Sequence, residues 1–198
     1  MIGIVMHGSG NLFSLCKAVE KLGGRPLLVE RPRDLERVKR LILPGVGAAG
    51  SAARTLRRLG LWEPIHKTAS KGVPVLGICL GMQLLFTHCE EDETSGLDWF
   101  SGVCVRFQPP LRVPHMGWSP VKQVRDHVLW RGVPDGTCFY FAHSYAVPAF
   151  SQEDILGSAV HGRPFVAAAV RGRTVGVQFH PEKSQHYGLR VLENFMTW

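Results

Sequence analysis

No apolar run in these 198 residues approaches the roughly 18 that a membrane-spanning helix requires, so no membrane is expected among the chain's partners. A basic leader and a small-residue cleavage site are also missing, which predicts no secretory signal and a cytoplasmic protein. The five cysteines, Cys16, Cys79, Cys89, Cys104 and Cys138, contain no Cys-x-x-Cys spacing. That argues against a disulfide framework and against a zinc site, so reduced thiols and no metal are expected. Repeats, linkers and low-complexity stretches are absent, and one domain over residues 1–198 is the simplest organisation. Acidic residues are the minority, 16 against 23 Lys and Arg, for a net charge of +7. The basic residues cluster at Arg31, Arg33, Arg37, Lys39 and Arg40, and at Arg54, Arg57 and Arg58, but acidic residues interrupt them and no aromatic stacking motif accompanies them. They read as a solvated face, or one complementary to an acidic partner, and no nucleic acid is expected. The acidic residues 90–93 read as a wet loop and not as a metal site.

What is present is a globular composition with two successive patterns. Up to residue 87, short apolar runs at 1–6, 26–29, 40–43 and 73–78 alternate with helical spacing, as at Leu12, Leu15, Cys16, Val19 and Leu22, and again at Ala52, Ala53, Leu56 and Leu59. Strands alternating with helices predict right-handed crossovers and a mostly parallel sheet flanked by helices, with ligands at the carboxyl ends of the strands. After residue 100 the segments shorten and Pro and Gly separate them, at 103–107, 121–124, 138–141, 155–160, 164–170 and 174–179. These predict an antiparallel β layer added to the sheet, and a closing helix over 184–196.

A dinucleotide fingerprint is suggested by Gly8-x-Gly10 with Glu30 downstream, but its third glycine is missing and the bulky Phe13 stands there instead. The stretch Gly77-Ile78-Cys79-Leu80-Gly81 has the form of a nucleophile elbow. Such a turn exposes the sulfur and aims the free N–H groups of a helix start at it, which lowers a thiol pKa and stabilises an oxyanion. The base would come from "VGVQFHPEKS". There Gly176, Gln178 and His180 share one face of a strand, and Pro181 holds His180 extended, so that Glu182 emerges on the same side. A carboxylate at that spacing takes one imidazole nitrogen and leaves the other for the thiol proton. The glycine turn "PGVG" ends a strand on the same edge, so the N–H of Leu80 and one from Val46 or Gly47 could form an oxyanion hole.

Together, "GICLGMQ", "PGVG" and "HPEKS" resemble the class I (triad) glutamine amidotransferases. Further, "VPHMGW", "FAHSY" and "GNL" are similar to the glutaminase subunits of imidazole glycerol phosphate synthases, of histidine biosynthesis. The resemblance implies a single α/β domain in which Cys79 is the nucleophile, His180 the base and acid, and Glu182 the orienting carboxylate. It places Gly47, Gln83, Ser144 and Tyr145 around L-glutamine, requires no cofactor, and implies a TIM-barrel cyclase partner that receives ammonia. Asn11, Arg112, His115, Met116 and Trp118 would fall near that partner. Met6-His7 replaces the usual Asp-Tyr, Phe13 a common Arg, and Ser119 the usual Asn, all outside the triad. A glutaminase of another pathway, a cysteine hydrolase acting on peptides or esters, and a noncatalytic subunit of the same fold are the competing readings.

Overall fold

A computed structural model describes residues 1–8, 12–149 and 153–198. The chain begins with β1 (Ile2–Val5), α1 (Leu12–Lys21), β2 (Pro26–Val29), β3 (Arg40–Leu43), α2 (Ala49–Arg58), α3 (Trp62–Ser70), β4 (Val75–Ile78) and the single turn α4 (Leu80–Gln83). Leu15, Ala18 and Val19 form the buried stripe of α1, and the helix stops where Gly23 takes a φ of 77°. The strands β5 (Phe86–Cys89), β6 (Thr94–Ser95), β7 (Phe100–Arg106), β8 (His115–Pro120) and β9 (Lys122–Gln123) follow. Then come β10 (Cys138–His143), β11 (Tyr145–Ala146), β12 (Ile155–His161), β13 (Arg163–Arg171), β14 (Thr174–Val177) and the closing helix α5 (Gln185–Thr197). No helix among the described residues is long and apolar enough to cross a membrane.

The main sheet runs β2-β1-β3-β4-β14-β13-β12-β9. From β2 to β14 every pairing is parallel, and from β14 to β9 every pairing is antiparallel. Strand alternation divides the core between its two faces: Ile42, Leu76 and Ile78 join one apolar cluster, while Leu41, Leu43 and Val75 join the other. The antiparallel strands thus extend the parallel sheet edge to edge, where the sequence suggested an added layer. Two small sheets, β11-β7-β5-β6 and β10-β8, lie beside it. Helix α3 and strands β5 and β8 were not legible in the pattern. The apolar positions of α3 are sparse, with Trp62 half-exposed under the Arg57 guanidinium at 4.1 Å.

Two constraints shape the surroundings of Cys79. The first is a close backbone approach. After β4 the chain reverses at Cys79, with φ 51° and ψ −108°, a conformation costly to any L-residue with a Cβ. The turn packs so tightly on the end of β3 that a Cβ on Gly81 would lie 1.7 Å from the Leu43 carbonyl oxygen, and one on Gly45 would lie 2.7 Å from Leu80 Cβ. The second is the ribbon of β8 and β10, where His115 and His143 are register partners. Both rings are buried; His115 stacks on Phe141 and on His161, at 5.1 and 4.4 Å between centroids. Burial lowers the His115 pKa to about 4, helped by the charge of His161. Burial also lowers that of His143 to about 3, against the opposing hydrogen bond to the Tyr145 carbonyl.

Gly81→Ala is expected to cost more than about 3 kcal/mol, because the opposing atom belongs to the backbone of a central strand and cannot swing aside. Gly172→Ala, at a left-handed φ of 56° but in open space, should cost only about 1–2 kcal/mol. Urea unfolding of both variants would measure the difference, and equal losses would show that crowding at Gly81 is relieved. The histidines give a pH dependence. In the unfolded chain each titrates near about 6.5, so between that value and the folded pKa the unfolded state binds more protons. Their contribution to stability is therefore complete above about pH 6.5 and is lost as pH falls toward 4 and 3. Unfolding free energy should drop with a slope approaching about 1.4 kcal/mol per pH unit for each histidine, and His115→Phe should flatten it. A profile unchanged by that substitution would count against this origin.

Candidate active site

Cys79 is only 4% exposed, which corrects the expectation that its turn lays the sulfur bare. Strand β10 covers it: Sγ lies 3.8 Å from the Ala142 carbonyl oxygen, toward which the thiol donates. On the other side Gln178 Nε2 donates to Sγ at 3.5 Å. The helix after the cysteine is a single turn. Four residues align too few peptides for a macrodipole, so what α4 offers is local, the N–H of Leu80 with no intrahelical acceptor.

His180 is extended, with φ −98° and ψ 97°, as the following proline demands. Pro181–Lys183 then forms one 3-10 turn, which returns Glu182 to the imidazole; Nδ1 and Oε1 are 2.9 Å apart. Because Nδ1 faces a carboxylate it carries the proton, which leaves Nε2 to exchange one with the thiol. The two side chains are 2% and 6% exposed. Burial disfavours an imidazolium here, but the nearby Cys79 sulfur and then the Glu182 carboxylate outweigh it, so the His180 pKa is raised. No hydrogen bond of ordinary geometry joins Nε2 to Sγ; closeness and charge couple the pair. The His180 backbone is pinned to β10. Its N–H donates to the Tyr140 carbonyl at 2.9 Å, while Ser184 Oγ donates to the His180 carbonyl at 2.7 Å and accepts from the Tyr140 N–H at 2.9 Å.

In front of Cys79 lies a cavity of about 180 Å³ whose walls include Val46, Gly47, Leu80, Gln83, Ser144 and Tyr145. Every residue expected for the oxyanion hole and the substrate is thus gathered there. His180 and Glu182 stand behind, against Pro44, Gly45 and Val46. Sequence reasoning missed Glu91 on the cavity wall, whose carboxylate accepts from the Ala49 N–H at 2.7 Å and so caps α2. It also missed Gln178 and Ser184 as contacts of Cys79 and His180. The signals were present, since Gln178 shares the polar strand face with His180 and Ser184 closes "HPEKS". On β8, Met116 and Trp118 are 63% and 47% exposed. Arg112 is exposed at the foot of that strand. His115 is corrected: the pleat turns it inward, where it bonds to His143 and Ser119 and cannot meet a partner. Asn11 lies outside the described residues. Part of the basic cluster is structural, since Arg40 donates to the carbonyls of Phe195 and Trp198 at 3.1 and 2.6 Å. Among the described residues no three His, Cys, Asp or Glu side chains converge to hold a metal.

Residues 6–197 match the family "Glutamine amidotransferase class-I". The chain is 44% identical over 195 residues to "Imidazole glycerol phosphate synthase subunit HisH" of Moorella thermoacetica, covering 98% of this chain and 93% of that one. It is 46% identical over 199 residues to the protein of the same name from Desulfitobacterium hafniense, covering 100% and 94%. Among solved structures, "Structure of PurLQS from Thermotoga maritima" superposes with a TM-score of 0.78 at 18% identity, over 99% of this chain and 97% of that one. Another, "Crystal structure of glutamine amidotransferase", gives 0.75 at 19%, over 99% and 97%. At those identities the structural likeness speaks for the fold, while the sequence match carries the lineage: the chain belongs to the class-I glutamine amidotransferases.

Proposed function

We propose that the chain, as one domain, is the glutaminase subunit of an imidazole glycerol phosphate synthase and passes ammonia to a cyclase partner. The observation that carries the reading is the buried His180–Glu182 pair behind a strained Cys79 at the base of a cavity, in a chain so similar to the two HisH relatives. The Cys79 thiolate adds to the side-chain carbonyl carbon of glutamine, and the displaced electron pair collects on oxygen beside Leu80, Val46 and Gly47. His180 Nε2 gives its proton to the leaving nitrogen, the C–N bond breaks, and ammonia departs from a thioester. Water then loses a proton to His180 as it attacks, the thiolate is expelled, and glutamate is released. Glu182 orients the imidazole and stabilises its charged form throughout. Glu91 supplies a carboxylate on the cavity wall for the α-ammonium of the substrate. Met116 and Trp118 offer the exposed apolar contacts for the partner.

Cys79→Ser should lose at least about 10³-fold in glutamine turnover while keeping the fold, and the glutamine-like electrophile acivicin should label Cys79. Labelling at Cys89 or Cys104 instead would sink the assignment. Glu182→Gln should lose less than His180→Ala, and the double variant should fall well short of the product of the two losses.

Activation by the partner is also expected. One oxyanion donor is worth roughly 10²–10³ in rate, and Gly47, at φ 102°, sits in backbone that reorients without a Cβ penalty. Steady-state assays should find the isolated chain slow, and the partner with its bound ligand should raise kcat far more than they lower KM. Full activity from the chain alone would refute the switch and leave the triad standing.

A further inference from the structure

Several buried polar groups take no part in the hydrolytic steps, and they form one connected path. Gln178 Nε2 donates to Cys79 Sγ at 3.5 Å, while its Oε1 accepts from Gln83 Nε2 at 3.2 Å. Gln83 Nε2 also donates to the Tyr145 carbonyl at 2.9 Å. That oxygen accepts a second hydrogen bond from His143 Nδ1 at 2.8 Å. His143 Nε2 is 3.0 Å from His115 Nδ1, and His115 Nε2 is 2.9 Å from Ser119 Oγ.

The polarity of this path is set by its carbonyl. A carbonyl oxygen only accepts, so His143 must carry its proton on Nδ1, and a neutral His143 must accept at Nε2. His115 therefore donates from Nδ1, accepts at Nε2, and the Ser119 hydroxyl supplies that proton. Were His115 unable to donate, the buried lone pair of His143 Nε2 would go unpaired, and the ring would lose the contact that holds its Nδ1–H on the Tyr145 oxygen. The carbonyl would lose that donor, and the Gln83 amide would shift with it. Both hydrogen bonds of Gln83 use Nε2, which leaves its acceptor Oε1 unspent on a side chain that lines the cavity.

We propose that His115 is a positioning residue for amide hydrolysis: by pairing the His143 Nε2 lone pair it holds that ring and its Nδ1–H on the Tyr145 carbonyl, and through it the Gln83 and Gln178 amides against the cavity and Sγ. The role rests on the glutaminase reading of the site and adds to it a residue that touches neither glutamine nor the triad.

Two variants separate this role from packing. His115→Phe keeps a ring to stack on Phe141 and His161 but has no donor. His115→Asn loses the ring, but its amide N–H₂ occupies nearly the place of Nδ1. In the complex with the cyclase partner, His115→Phe should lower kcat/KM for glutamine about tenfold, about the worth of one well-placed hydrogen bond. His115→Asn should stay within about threefold of the parent, although it is the less stable of the two to heat. The reverse order, equal losses, or two unaffected variants would each overturn the proposal. Should either variant fail to fold, the parent chain decides. Nitrogen-15 NMR of its imidazoles at neutral pH should find His143 protonated at Nδ1 and bare at Nε2, and the opposite tautomer would overturn the proposal. A parent complex that leaves glutamine intact would defeat the reading of the site, and the tautomer measurement would stand apart from that failure.

Discussion

The contact on which the rest of the site depends is the one between the Gly81 backbone and the Leu43 carbonyl, two main chains meeting where no Cβ fits. Strand β4 lies between β3 and β14, and each neighbour delivers one part of the chemistry at its carboxyl end. Past β3 the chain supplies Pro44 to Gly47, and past β14 it supplies Gln178 and His180. The elbow on β4 can serve both sides only because it is pressed against one of them. A side chain at residue 81 would push Leu80 and Cys79 away from Val46 and Gly47, and so pull the elbow away from the glycine turn.

Inside this frame the molecule keeps two kinds of histidine. His180 sits between the Cys79 sulfur and a carboxylate, and its pKa rises despite burial. His143 is just as dry, but its hydrogen-bonded neighbours are a carbonyl and another imidazole, so burial prevails; the charge on His180 adds to the same effect. Proximity to charged groups, and not the degree of burial, separates the raised pKa from the lowered one.

Much of this was legible in the sequence because it is local. The elbow glycines, the His-Pro-Glu spacing and the glycine turn each encode their geometry within a few residues, and the parallel strands announce themselves as unbroken apolar runs. Whatever depends on distant partners was not legible. That Cys79 would be covered is decided by β10, more than sixty residues away, and that Gln83 would turn its nitrogen inward is decided by Tyr145 and Gln178. Strand β8 escaped notice because a histidine faces the core and a methionine and a tryptophan face outward, the reverse of the usual alternation. His115 was accordingly expected to face outward, when the pleat turns Met116 and Trp118 out in its place. Glu91 was taken for a wet loop, and only the fold brings it to the start of α2 and the cavity wall.

Among the described residues, strand β8 pairs with β10 alone. Its outer face carries the large exposed apolar side chains and its inner face the histidine bonded toward the cavity, so the two are consecutive pleats of a single thin ribbon. For protein engineering this removes a convenient assumption. Replacing Met116 or Trp118 with charged residues to improve handling would be a routine surface edit on most scaffolds. Here any change in the twist or register of the ribbon is carried one residue along into the interior, and an edit chosen for solubility becomes an edit to the chemistry.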